Sequence, residues 1–142
     1  MATTINPISG AIWEGADFTI LARVVAPDGN ALVTGNIEDY TVKIYETTTD
    51  PAAAVYSLES SDDSEIMFAA LQTDGWWSAD SAGYNLRYTA AMATINNTSE
   101  VIRGGHTYRT EIELTVAASY TGNASGVIPV IATVQVKARN AV

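Results

Sequence analysis

Hydrophobic and polar residues alternate with a period of two along most of the chain. In residues 17–25, Phe18, Ile20, Ala22 and Val24 fall on one face, and Asp17, Thr19, Leu21, Arg23 and Val25 on the other. A strand with one face in a core has this pattern, because successive side chains point to opposite sides. Pro27, Asp28, Gly29 and Asn30 then predict a turn, since proline presets φ and glycine accepts positive φ. A second strand is predicted where Tyr40, Val42 and Ile44 alternate with Thr41, Lys43 and Tyr45. It ends in the breaker Thr47-Thr48-Thr49-Asp50-Pro51. Residues 52–59 admit two readings. Asp50 and Pro51 can start a short helix, with the acid as cap and proline at the first helical position. The segment is short and ends in Ser60-Ser61-Asp62-Asp63, so a strand through residues 54–58 is preferred.

Further strands are expected at the apolar run of residues 66–71 and at Tyr84, Leu86, Tyr88 and Ala90. The clearest alternation is at His106–Val116, where Tyr108, Thr110, Ile112, Leu114 and Val116 oppose Arg109, Glu111, Glu113 and Thr115. A last long strand spans residues 127–138, with Ile128, Val130, Ala132, Val134 and Val136 on its apolar face. Several short strands separated by turn signals predict an all-β protein built as a single antiparallel sandwich, with at most one short helix. Composition agrees. Val, Ile and Thr supply 41 of 142 residues, and β-branched side chains suit a pleated, half-buried surface. The length is that of one domain. Residues 10–142 read as the sandwich and residues 1–9 as an extended N-terminal arm.

Charge and residue inventory then narrow the chemistry. Seven Lys and Arg against 16 Asp and Glu give a net charge of −9. Nucleic acid and an anionic membrane would repel such a chain, so neither is expected as a partner. No apolar run approaches the ~20 residues of a membrane helix, and Met1-Ala2-Thr3-Thr4 carries no secretory signal. With no cysteine and one histidine, His106, thiol catalysis, disulfides and a His–His metal pair are excluded.

Three features are candidates for chemistry. Asp62-Asp63-Ser64-Glu65 lacks the spacing of a calcium loop and reads as a solvated acidic turn. Glu111 and Glu113 share one strand face, whereas glycosidase carboxylates flank a cleft, so they read as surface acids. His106 has no serine placed to use it and reads as structural. Asn96-Asn97-Thr98 and Asn123-Ala124-Ser125 match glycosylation sequons but carry no weight without a secretory signal. No catalytic, cofactor-binding or metal-binding residue is expected, and the chain is not expected to be an enzyme.

Binding candidates are stronger. Trp76 and Trp77, read as neighbours on a strand, point to opposite faces, so one is expected in the core and the other at a surface. There it would cover its own loop so that both pack within the fold, serve a protein interface, or act as a sugar-stacking platform. Ile5 and Ile8 in the arm are apolar residues that a neighbouring copy could bury, with Pro7 keeping the arm extended; the alternative is that residues 1–9 lie on their own sandwich or stay floppy. Gly105 and Tyr108 resemble the tyrosine corner of immunoglobulin-like sandwiches, in which the phenol bonds back to the backbone upstream.

A wider resemblance rests on Ile66-Met67-Phe68-Ala69-Ala70-Leu71-Gln72-Thr73-Asp74-Gly75-Trp76, then Asp80-Ser81-Ala82-Gly83-Tyr84-Asn85-Leu86, then Gly104-Gly105-His106-Thr107-Tyr108-Arg109-Thr110-Glu111 and a valine-rich last strand. In these segments the chain resembles the small immunoglobulin-like virion proteins of tailed bacteriophages. It is also similar to the N-terminal sandwich of phage baseplate upper proteins. The resemblance implies an immunoglobulin-like β-sandwich and a structural protein of the virion, without cofactors. A capsid decoration (cement) protein is expected, bound to the major capsid protein at the head surface as a homo-oligomer, trimer or dimer. The alternatives are a tail or baseplate adaptor, and a carbohydrate-binding module using Trp76 or Trp77.

Overall fold

The alternating segments become strands because only paired strands can hide one face of each and satisfy their backbone groups together. A computed structural model describes residues 8–26, 29–47, 53–77, 80–96, 102–117 and 126–138. The strands are β1 (Ile8–Trp13), β2 (Phe18–Ala22), β3 (Ile37–Glu46), β4 (Ala53–Ser60), β5 (Met67–Gln72), β6 (Tyr84–Ala90), β7 (His106–Val116) and β8 (Gly126–Lys137). A 3-10 turn at Asp63–Glu65 and the four-residue helix α1 (Met92–Ile95) complete the elements. One sheet has the order β1-β8-β7-β3-β4 and the other β2-β6-β5. This is the all-β sandwich of two sheets expected from the alternation.

The buried faces are the apolar sets read from the sequence. Tyr40, Val42 and Ile44 of β3, Ile112, Leu114 and Val116 of β7, and Val130, Ala132, Val134 and Val136 of β8 meet Phe18 and Ile20 of β2 and Leu86, Tyr88 and Ala90 of β6. The ambiguous segment after Pro51 is the strand β4, in antiparallel register with β3 from Tyr40↔Ser60 to Glu46↔Ala53.

Three features depart from the expectations. First, β1 runs parallel to β8, from Ile8↔Ala132 to Trp13↔Lys137, so the sandwich is not antiparallel throughout. The same pairing moves the boundary of the proposed arm. Ile8 and Ser9 belong to β1, and the β8 edge supplies the backbone partners that make a strand of a segment whose Gly10 and Ala11 carry little pattern. Second, the strand at residues 17–25 stops at Ala22. Val24 is buried beyond it, and Val25 makes an isolated bridge to Ala31. Third, Asp63 is not part of a solvated acidic turn. It is buried, and its Oδ2 accepts from the backbone N–H groups of Gly35 (2.8 Å) and Ile37 (3.1 Å). Asp62 and Ser64 beside it stay exposed.

The connection from β2 to β3 is held by backbone bonds, among them Leu32 N–H to the Val24 carbonyl (3.1 Å), and by side chains. Asn85, on β6, is fully buried. Its Oδ1 accepts from Val24 N–H at 2.7 Å, and its Nδ2 donates to the carbonyls of Val24 and Leu32, both at 2.7 Å. Thr34 donates to the carbonyls of Phe68 from its backbone (3.1 Å) and of Met67 from its hydroxyl (2.8 Å). β5 bows away from β6 here. Met67 pairs with Leu86 and Gln72 with Tyr84, so four residues of β5 face Asn85 alone. Such a bulge twists and bends the strand that carries it. It leaves Ala69, Ala70 and Leu71 exposed.

Replacing Asn85 with alanine leaves the buried Val24 N–H and the buried Leu32 carbonyl without their partner, while the Val24 carbonyl keeps its bond from Leu32 N–H (3.1 Å). At about 1–3 kcal/mol for each buried group left unpaired, the expected loss is at least about 2 kcal/mol by urea denaturation. A loss under about 1 kcal/mol would show that the 24–32 connection does not depend on this amide.

Candidate functional site

The hairpin between β5 and β6 gathers most of the unusual side chains of the described residues. Its first half is set by Asp74. The Oδ1 atom accepts from Trp76 N–H (3.1 Å) and the backbone carbonyl from Trp77 N–H (3.2 Å), an Asx-type turn. The Oδ2 atom accepts from the Tyr84 hydroxyl at 2.7 Å. That bond to a carboxylate, aided by burial, raises the Tyr84 phenol above its ordinary pKa.

Asp80 sets the second half. Arg23 grips it at both oxygens, Nη1 to Oδ1 and Nη2 to Oδ2, each at 2.8 Å. The same Oδ1 accepts from Trp77 Nε1 (2.9 Å) and from the backbone N–H groups of Ala82 (3.0 Å) and Gly83 (3.2 Å). The Arg23 bond foremost, then those of Trp77 and the backbone, hold the Asp80 carboxyl far below the usual carboxylate range. Gly83 is required where it stands. Its φ is +100°, and a Cβ would sit 2.4 Å from the Gln72 carbonyl oxygen.

Trp76 and Trp77 therefore lie in a turn, not on a strand, and the expected opposition of two strand faces does not apply. Trp77 is half-buried within its own hairpin, its ring 5.7 Å from that of Tyr84. Trp76 is 62% exposed. Nearby, Phe68 and Arg87 lie on the outer face of the small sheet, since their neighbours Met67 and Leu86 point into the core. The Arg87 guanidinium lies 5.0 Å from the centre of the Phe68 ring and 5.7 Å from that of Trp76. Both rings thus hold the cation by cation–π attraction. Phe68 in turn meets Tyr84 edge-on at 5.7 Å. Trp76, Arg87 and the half-buried Phe68 form one aromatic, cationic patch on a hairpin fixed by two carboxylates.

The remaining candidates fall elsewhere. Ile5 lies outside the described residues, and Ile8 is part of β1. Tyr108 is buried, and its hydroxyl accepts from Arg103 N–H at 2.8 Å, a bond from the phenol back to the upstream backbone. Gly105 precedes it with φ +87°, and its N–H donates to the Val136 carbonyl at 2.7 Å. His106 Nδ1 faces the Glu46 carboxylate. Glu111 pairs with Arg109 at 3.2 Å, while Glu113 is exposed. Among the described residues, no group of three or more His, Asp or Glu could hold a metal ion.

Sequence reasoning passed over Arg87, Asp74, Asp80 and Trp13. Asp74-Gly75 and Asp80 three residues before Gly83 are turn signals that could have marked the hairpin. Nothing local marks Arg87, whose surroundings come from residues 19 and 11 positions earlier. Trp13 ends β1, is 59% exposed, and borders a shallow 460 Å³ depression with Glu14, Gly15 and Ala16.

The Asp80 contacts give a pH signature. A depressed carboxyl contributes its full stabilisation above its unfolded pKa of about 3.9 and loses it as pH falls toward the native value. The Trp77 indole Nε1 resonance should therefore hold steady from pH 7 down to about 4. Asp80→Ala should move that resonance at neutral pH and red-shift tryptophan emission. A midpoint at or above pH 4 in the wild-type protein would contradict the Arg23–Asp80–Trp77 lock.

No protein-family model matches the chain, and no curated protein matches it either. What the chain does must therefore be argued from the hairpin and from the resemblance carried by its motifs.

Proposed function

We propose that the chain is a non-enzymatic structural protein of a tailed-phage virion. In this reading it is a capsid decoration protein that binds the major capsid protein at the head surface and assembles there as a trimer or dimer. The observation that carries the docking part is Trp76, an indole 62% exposed on a turn whose backbone and neighbours are fixed. A large aromatic side chain in water gains most by being covered, and a fixed one loses little entropy when it is. The virion part rests on the resemblance of residues 66–76, 80–86 and 104–111. The net charge of −9 suits a protein that works near packaged genome without binding it. Its action is mechanical, adding contact area between neighbouring capsid subunits.

The open face of Trp76 also favours a second reading, a carbohydrate-binding module, because pyranose rings stack on exposed indoles.

Gold-coupled antibody raised against the chain should label the heads of tailed particles in a lysate of the source. Label confined to tails would assign a baseplate or tail adaptor instead, and no particle label would contradict the virion reading. Binding on a glycan array, abolished by Trp76→Ala, would favour the sugar module.

A further inference from the structure

β1 and β2 each end their sheet, so each has one edge with no neighbour among the described strands. Between them lies an open slot of 310 Å³, lined by Gly10 and Ile12 of β1, Phe18 and Ile20 of β2, and Ala132 and Val134 of β8. Gly10 is its cause. It pairs with the buried Val134, so its position faces inward, and a Cβ built on it would meet no atom within 4 Å. An inward position without a side chain leaves the apolar walls around it short of packing partners. The one charged residue on the described lining is Asp17, whose Oδ1 already accepts from Met92 N–H at 2.8 Å.

Such a slot fits one aliphatic side chain on an extended backbone that bonds the free edge of β2. Residues 1–7 offer one. Ile5 is their one branched aliphatic residue, and Thr3 and Thr4 before it share the β-branched preference for strands. No side chain of residues 1–13 is ionisable, so in a chain of net charge −9 this segment adds nothing to the repulsion between copies. Its own slot is poorly placed for it. Ile8 is already in β1, so folding back would need a tight reversal at Asn6-Pro7. Two-residue hairpin turns take positive φ at their first central position, and type I′ at both, whereas proline fixes φ near −65° and favours extended backbone before it. Extended, Ile5 lies about 16 Å from Gly10. A second copy's slot is better placed. The segment leaves β1 at Ile8, two positions from Gly10, so exit and slot lie together, and a two-fold axis beside them brings each exit to the other copy's slot.

We propose that the slot between β1 and β2 receives Ile5 of a second copy, and that two copies exchange these segments reciprocally in a dimer. Ile5 fills the space that Gly10 leaves open, and the backbone around it bonds the free edge of β2. The proposal rests on the self-assembly in the function proposed above and names its contact. It does not rest on the virion placement, which particle labelling tests separately.

Sedimentation of the full chain over a range of concentrations is the test, with Ile5→Asp and Gly10→Val as variants. Ile5→Asp spoils the segment and leaves the slot. Gly10→Val fills the slot with a residue that suits a strand and meets open space, and leaves the segment. The wild type should dimerise. Each variant alone should associate about a hundredfold more weakly, because two slots each lose a buried isoleucine. An equimolar mixture of the variants should recover dimer, since the intact segment of one meets the intact slot of the other. With one contact in place of two, that dimer should be about tenfold weaker than the wild type. Gly10→Ala should weaken association less than Gly10→Val, and it carries the test if valine disturbs β1. Leu71→Asp, on β5 at the opposite edge of the small sheet, should change nothing. A mixture no more associated than its components, or equal weakening by Leu71→Asp, would overturn the exchange. Assembly that survives both slot and segment variants would sink this contact while leaving self-assembly standing. A wild type still monomeric at about 1 mM would sink both.

Discussion

One oxygen of Asp80 accepts from Arg23, from the Trp77 indole and from two backbone N–H groups, while the other oxygen takes the second arm of Arg23. Asp80 is itself exposed, so this is not a buried ion pair holding a core together. It ties the end of β2 to a hairpin remote from it in sequence and, within that hairpin, the tip to the entry of β6. With Trp77 drawn onto Asp80 and Tyr84, Trp76 is left on the outside. The surface that the protein presents follows from that division of labour between two adjacent tryptophans. Asp74, which sets the turn before them and holds Tyr84, makes the division the same in every copy.

β6 connects this surface to the fold. Gly83 lets the chain pass the Gln72 carbonyl, Tyr84 receives the hairpin, Asn85 holds the connection between the sheets, and Arg87 meets the rings outside. Leu86, Tyr88 and Ala90, between and beyond them, face the core. A strand whose two faces serve burial and recognition transmits the rigidity of the sandwich to its outer surface. The bulge of β5 lies opposite Asn85, whose side-chain amide bonds to Val24 and Leu32. The bow leaves Ala69, Ala70 and Leu71 exposed.

Strands whose partners lie on both sides were legible in the sequence. β3, β7 and β8 bury one face fully, so their alternation is clean, and Tyr40, Val42, Ile44, Ile112 and Leu114 all face the core as their pattern demands. Edges were less legible. β1 has a partner on one side only and carries Gly10 and Ala11, so nothing in its composition announced a parallel pairing with β8. Asp63 looked like one acid among several because burial of a single carboxylate depends on the Gly35 and Ile37 N–H groups that reach it across the fold. The two tryptophans stood out as residues, but their setting did not. A strand was assumed where Asp74 and Gly75 make a turn. Arg87 was invisible, because an arginine between rings is defined only by contacts that folding creates.

The central claim is that the Trp76–Arg87 patch is fixed before any partner arrives. Nitrogen-15 relaxation of the side-chain Trp76 Nε1–H and Arg87 Nε–H groups tests it directly, on the free protein at neutral pH. The account predicts order parameters for both approaching the roughly 0.85 of rigid backbone. Values below about 0.6 for both groups would place them among flexible surface side chains and contradict it.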